Sequence, residues 1–136
     1  MRSYDRIFVD SYDNRVYNMY GGDIVGNQTG TADIVAFLEE AKKLVVSGKY
    51  DFVPRRKNMQ SLARYGLTIA DAKEEILGLV ISDYYKGPKQ DFDRPGVIWE
   101  FKKNIDGIQF YVKIKIVQEN EEKLLKCLGF HEDDFA

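Results

Sequence analysis

Cysteine and histidine are almost absent from this chain: among 136 residues there is one of each, Cys127 and His131. A single thiol allows no disulfide framework and no cysteine-based zinc site, and a single imidazole allows no histidine-cluster metal site. No metal and no cofactor are therefore expected, and Cys127 reads as a small buried hydrophobe. Long apolar runs are missing too. Nothing approaches the roughly 20 apolar residues that cross a bilayer. The opening MRSYDRIFVDSYDNR lacks the unbroken apolar core of a secretory signal. A cytoplasmic protein without a membrane partner is the expectation, and the Asn27-Gln28-Thr29 sequon, which needs secretion to matter, is set aside. With three prolines, no Pro/Gly/Ser-rich linker and no internal repeat, the chain reads as one domain with a modest core.

An excess of positive charge is also lacking. The formal net charge is −2, from 20 Lys and Arg against 22 Asp and Glu. The charge is unevenly spread, however. Residues 49–118 hold thirteen Lys and Arg against nine Asp and Glu, residues 1–48 five against seven, and residues 119–136 two against six. Attraction of phosphate depends on the local field and a few close cations, so an acidic total does not exclude RNA.

What is present divides into an N-terminal extension, residues 1–30, and a domain at 31–136. In the extension, Arg6 to Asp10 and Arg15 to Tyr20 suit short strands, and Gly21, Gly22, Gly26 and Gly30 mark loops. The glycines lack the Lys-Ser/Thr of a phosphate loop. Thr31 is placed to cap a helix whose Ile34, Phe37, Leu38, Ala41 and Leu44/Val45 form one apolar stripe ending at Gly48. A short helix from about Asn58 to Tyr65 stops at Gly66, and Thr68 with Asp71 opens another as a capping box, running to about Ile81. Arg55, Arg56 and Lys57, with Tyr50 and Phe52 nearby, form a basic and aromatic patch. It suits RNA backbone contact or simply an exposed loop.

Residues 82–117 are the richest in chemistry. Asp106-Gly107 is a hairpin turn signal. Before it, Val97, Trp99 and Phe101 alternate with Ile98, Glu100 and Lys102. After it, Ile108, Phe110, Val112, Ile114 and Ile116 alternate with Gln109, Tyr111, Lys113 and Lys115. One face is core, with Trp99 in it, and the other displays Glu100, Tyr111 and the lysines. Lys123 to Phe130 follows the polar turn Glu119 to Glu122 as a third strand, and the acidic tail from Glu132 is expected to fray. Parity sets His131 beside Lys123, Leu125, Cys127 and Gly129, opposite Leu124, Leu128 and Phe130. The fold class is α+β, with two or three helices packed on a small antiparallel sheet.

In their order and spacing, AKKLVVSG (Ala41 to Gly48), GLT (Gly66 to Thr68), DYYK (Asp83 to Lys86), Ile98-Trp99, YVKI (Tyr111 to Ile114) and Phe130-His131 resemble the MqsR-like toxins of bacterial toxin-antitoxin modules. That family comprises small messenger-RNA endonucleases with a RelE-like fold. The resemblance spans most of the chain but not its first thirty residues. It implies metal-independent RNA cleavage and a cognate antitoxin partner. Its site residues carry over as the lysine of DYYK, Lys86; the residue after Ile98-Trp99, Glu100; the tyrosine of YVKI, Tyr111; and the basic residue after the last phenylalanine, His131. Better-known members have glutamine where this chain has Glu100 and lysine where it has His131.

Cleavage by 2′-hydroxyl attack needs a base, cations for the phosphate and an acid for the 5′ oxygen. Lys86 and Lys113 supply cations, Glu100 or His131 a base, His131 or Tyr111 an acid. Histidine is the side chain whose ordinary pKa, about 6.5, lies nearest to neutral pH. The bland readings stand beside these. Lys86 would be a solvated cation before a Gly87-Pro88 turn. Lys113 and Lys115 would be the wet face of a strand, with Glu100 as an exposed salt-bridge partner of Lys113 or Lys102. Tyr111 would sit at the rim of the core. A non-catalytic RNA- or protein-binding module of the same fold is the alternative function. A DNA-binding regulator is a weaker one, because no helix carries a dense basic stripe.

Overall fold

Turn chemistry sets the sheet. Asp106 and Gly107 both adopt positive φ, 53° and 88°, as a two-residue hairpin connection requires, and Ile105 pairs Ile108 directly across it. A second such turn, Asn120-Glu121 with φ of 52° and 66°, joins the next strand through the Glu119–Glu122 pair. In the computed structural model the described residues are 29–134 together with 7–8, 17–18 and 22–23. The elements in chain order are β1 (Ile7–Phe8), β2 (Tyr17–Asn18), β3 (Gly22–Asp23), α1 (Thr31–Val46), β4 (Tyr50–Phe52), α2 (Arg56–Arg64), α3 (Ile69–Leu77), β5 (Tyr84–Gln90), β6 (Val97–Ile105), β7 (Ile108–Glu119) and β8 (Glu122–Glu132). The class is α+β: among the described residues, three α-helices accompany a five-stranded sheet of order β4-β8-β7-β6-β5.

That sheet is mixed rather than wholly antiparallel, because β4 runs parallel to β8, Tyr50 opposite Leu125 and Phe52 opposite Cys127. β4 was hidden in the sequence because three residues give too little alternation to read. It corrects the expected aromatic patch: Phe52 is in the core and Tyr50 packs against it, so neither ring stands in solvent to stack a base. The extension carries its two expected strands, and Gly22, expected in a loop, opens β3. β1, β2 and β3 form a separate antiparallel sheet. Gly21 and Gly26 lie outside the described residues.

α1 buries the anticipated stripe, Ile34, Phe37, Leu38, Ala41 and Val45. Phe37 stacks on Trp99 with ring centroids 4.4 Å apart. Burying such side chains stabilises by about 1.5–3 kcal/mol each. Thr31 begins the helix rather than capping it; Gly30 is the N-cap and offers no side-chain acceptor. α2 starts two residues earlier than expected, so Arg56 and Lys57 lie in its first turn. Thr68 and Asp71 form the expected capping box, worth about 1 kcal/mol. α3 stops at Gly78, before the expected Ile81, and a separate 3-10 turn spans Ile81–Asp83. No helix of the described residues is long and apolar enough to cross a membrane.

The helices cover one face of the sheet, over Phe101, Phe110, Val112, Ile114, Leu125, Cys127 and Phe130. Cys127 is fully buried, and burial pushes its thiol up to about 12. The parity expected for β8 fails at its centre. Lys113 pairs Gly129 but Ile114 pairs Cys127, so Leu128 is an extra residue, a β-bulge. Before the bulge, Leu125 and Cys127 face the core; after it, Phe130 does. Asn58, buried on α2, holds this irregularity: its amide nitrogen donates to the carbonyls of Val53 and Leu128, and its oxygen accepts from the Phe130 N–H. The tail does not fray at once. The Asp133 N–H donates to the Gln109 carbonyl, and the Asp133 carboxylate takes Lys102 at 3.0 Å and the Gln109 amide at 2.9 Å.

Candidate functional site

The bulge decides where histidine goes. One extra residue inverts facing beyond it, so His131 pairs Tyr111 directly on the face away from the helices. The two rings meet edge to face at 5.5 Å. His131 thus reaches the Tyr111 face as anticipated. Leu125 and Cys127, expected on that same side, lie on the other. His131 Nδ1 lies 2.9 Å from the Glu132 carbonyl oxygen. A carbonyl only accepts, so Nδ1 carries the proton in that bond and Nε2 is left to exchange protons.

β5 supplies the other half of the face. The Gly87-Pro88 pair, expected to be a turn, sits inside this strand, and the pairing is irregular on both sides of Lys86. Tyr84 pairs Phe101 on the core side, Tyr85 is extra, and Lys86 pairs Glu100. Tyr85 and Lys86 therefore both serve the open face. The Tyr85 ring meets Tyr111 edge to face at 6.2 Å, and Lys86 Nζ lies 5.2 Å from the Tyr85 ring centre. Gly87 is required here. A Cβ would fall 2.7 Å from the Ile98 carbonyl oxygen, at a φ of +124°. Its own carbonyl accepts from Tyr84 and from Thr29. Past this irregularity Lys89 pairs Ile98 and reaches toward Glu100.

Glu100 is fully buried, 0% exposed, although it faces away from the helices. Tyr111 donates a short hydrogen bond to its Oε1. Lys89 Nζ stands 2.7 Å from Oε2, outside good hydrogen-bonding angles, so Oε2 has a counter-ion but no aligned donor. The expected exposed pair with Lys113 or Lys102 is thus replaced by a buried pair with Lys89. Lys113 lies directly across the strands from Glu100, and Lys102 is drawn off to Asp133 and to the Tyr85 ring, 4.1 Å from its centre. Burial first, then the Glu100 hydrogen bond and charge, push the Tyr111 phenol well above its usual range, so it stays protonated. Burial pushes Lys113 down, aided by Lys89 and Arg55 and opposed by Glu100 and Asp91.

No family model and no curated protein matches this chain. Geometry therefore has to sort the expected site residues. Lys86, Glu100, Tyr111, Lys113 and His131 converge on one face. Arg55 is exposed at the start of α2 and acts on Lys113 through its charge. Arg56 is exposed beside it, and Lys57 is exposed and paired with Asp134 at 2.7 Å. Lys115, expected as an RNA contact, is instead 2% exposed. Its Nζ is bound by Asp91 at 2.6 Å and by the Pro95 carbonyl at 2.8 Å, because the β5–β6 connection folds over it. Lys89, Tyr85, Lys102 and Asp133 were not singled out as site residues. The lysine two residues past Gly87 is a signal for Lys89, obscured by the turn that Gly87-Pro88 suggests. A shallow groove of about 460 Å³, lined by Val35, Leu38, Leu79 and Val80 among others, lies on the helix side.

Proposed function

We propose that this chain is a metal-independent endoribonuclease acting on messenger RNA in the cytoplasm, the toxin of a toxin-antitoxin pair similar to the MqsR-like family. The observation that carries this is the convergence of Lys86, Tyr111, Lys113 and His131, from three different strands, around the buried carboxylate of Glu100. Lys86 and Lys113 suit a phosphate whose charge grows in the transition state. As the 2′ oxygen bonds to phosphorus, its hydroxyl proton passes to His131 Nε2, the bond to the 5′ oxygen breaks, and the same nitrogen returns the proton to the leaving oxygen. Tyr111 keeps its proton against Glu100 and orients the face. The antitoxin partner rests on the motif resemblance.

A second reading is favoured by one observation: Glu100 is covered by Tyr111 and Lys89 and cannot touch RNA as it stands. A non-catalytic RNA-binding module would tolerate that. Purified protein incubated with single-stranded RNA in EDTA separates the two. Cleavage leaving 2′,3′-cyclic phosphate or 3′-phosphate ends is expected. Products with 3′-hydroxyls, or cleavage only after added magnesium, rule the mechanism out. Binding without cleavage favours the module.

A further inference from the structure

We propose that Lys89 is a phosphate-binding residue held in reserve by Glu100, and that an RNA backbone phosphate takes the ammonium over when it binds. This rests on the RNA-binding part of the function proposed above. The pair is lopsided. Glu100 is sealed, while the Lys89 side chain remains 29% exposed. Their contact is close in distance but poorly aligned, leaving Oε2 without a hydrogen bond. A buried carboxylate oxygen with a counter-ion alone is a costly arrangement, and it commits Lys89 less firmly than an aligned bond would.

Charge points the same way. Lys86 and Lys113 flank Glu100 in register on either side, and Lys89 and Arg55 both bear on Lys113 electrostatically. The nearby carboxylates are otherwise engaged, Asp91 with Lys115 and Asp133 with Lys102. Glu100 thus faces Lys86, Lys89 and Lys113, with Asp91 also acting on Lys113 from its pair with Lys115, and three cations around one buried carboxylate suit an anion. A phosphate arriving between Lys86 and Lys113 would meet Lys89 from its exposed side and bond it with better geometry than Oε2 does. The stem of Lys89 is long enough to turn its head from one oxygen to the other while staying on β5.

The test is binding of a mixed-sequence 2′-O-methyl oligoribonucleotide, which 2′ attack cannot cleave, measured by fluorescence anisotropy between about 50 and 200 mM salt. Three proteins are compared: wild type, Lys89→Met and the double variant Lys89→Met/Glu100→Gln. The double variant guards against misfolding, since it removes the stranded buried charge together with its counter-ion. If Lys89 grips phosphate, both variants bind more weakly, and the slope of log affinity on log salt falls by about 0.7, one contact on a single strand. If Lys89 only neutralises Glu100, the double variant binds with wild-type affinity and slope, and the proposal is overturned. A wild type that cleaves RNA alongside that result loses the Lys89 assignment alone. A wild type that binds but does not cleave, with the slope reduced in both variants, loses the nuclease reading and keeps the Lys89 assignment. A wild type that binds no oligonucleotide overturns both.

Discussion

Lys113 and Lys115 are two residues apart on one face of one strand, yet they occupy different worlds. Lys115 is sealed at the end of the face roofed by residues 91–96, where Asp91 and the Pro95 carbonyl hold it. Lys113 lies at the end shared with Tyr111 and His131. It is half-buried, across from Glu100 and pressed by the charges of Lys89 and Arg55. Alternation along β7 gives both the same direction; the connection between β5 and β6 gives only one of them access. A charged side chain on the wet side of a strand is therefore available to substrate only where no loop closes over it.

The largest effect expected from this contrast is structural and belongs to Lys115. Lys115→Met keeps the stem but leaves the largely covered Asp91 carboxylate and the Pro95 carbonyl without their donor, so unfolding in urea should show a loss of about 3 kcal/mol. A loss below about 1 kcal/mol would mean the pair holds nothing and the two ends do not differ. Lys113→Ala should do the converse. Stability should stay within about 1 kcal/mol of wild type, because burial already disfavours the charge there. The rate of RNA cleavage should fall about 10²-fold, as for loss of one electrostatic donor. Equal losses of rate in both variants, measured where both are folded, would break the comparison.

The same contrast marks what was legible in the sequence. Local chemistry was readable: the α1 stripe from Ile34 to Val45, the Thr68–Asp71 box, the Asp106-Gly107 turn, and the face that carries Tyr111. Each depends on neighbours within a few positions. What escaped depends on partners far along the chain. The bulge at Leu128 needs Asn58, seventy positions away, to satisfy the carbonyl it frees. The period-2 pattern of β8 contains no trace of it, because Cys127 and Leu128 are both apolar and both end up buried. Gly87 and Pro88 are strong turn formers, and the turn they suggest hides β5 and with it Lys89, the partner of Glu100. Lys115 escapes for a different reason: alternation says which side a residue faces, not what covers it.

The smallest expected effect is in pH, and it sharpens the difference between the two ends. Burial by itself pushes the Asp91 carboxyl up. The hydrogen bond and charge of Lys115, with the N–H groups of Asp93 and Arg94, outweigh it and hold the carboxyl below its usual range. A carboxyl depressed in the folded state adds stability that is fully present above its unfolded pKa, about 3.9, and is lost as pH falls through the folded value. In Lys115→Met most of that depression goes and burial is left to dominate, so this variant lacks the contribution at neutral pH. The stability gap between wild type and Lys115→Met should therefore be widest at neutral pH and should narrow as pH falls below about 4. Lys113→Ala should show no such narrowing, since Asp91 keeps its partner there. Urea unfolding of all three proteins at neutral pH and near pH 3.5 reads both gaps. A Lys115→Met gap unchanged across that range would show that the closed end is held by packing of the 91–96 connection rather than by the ion pair beneath it.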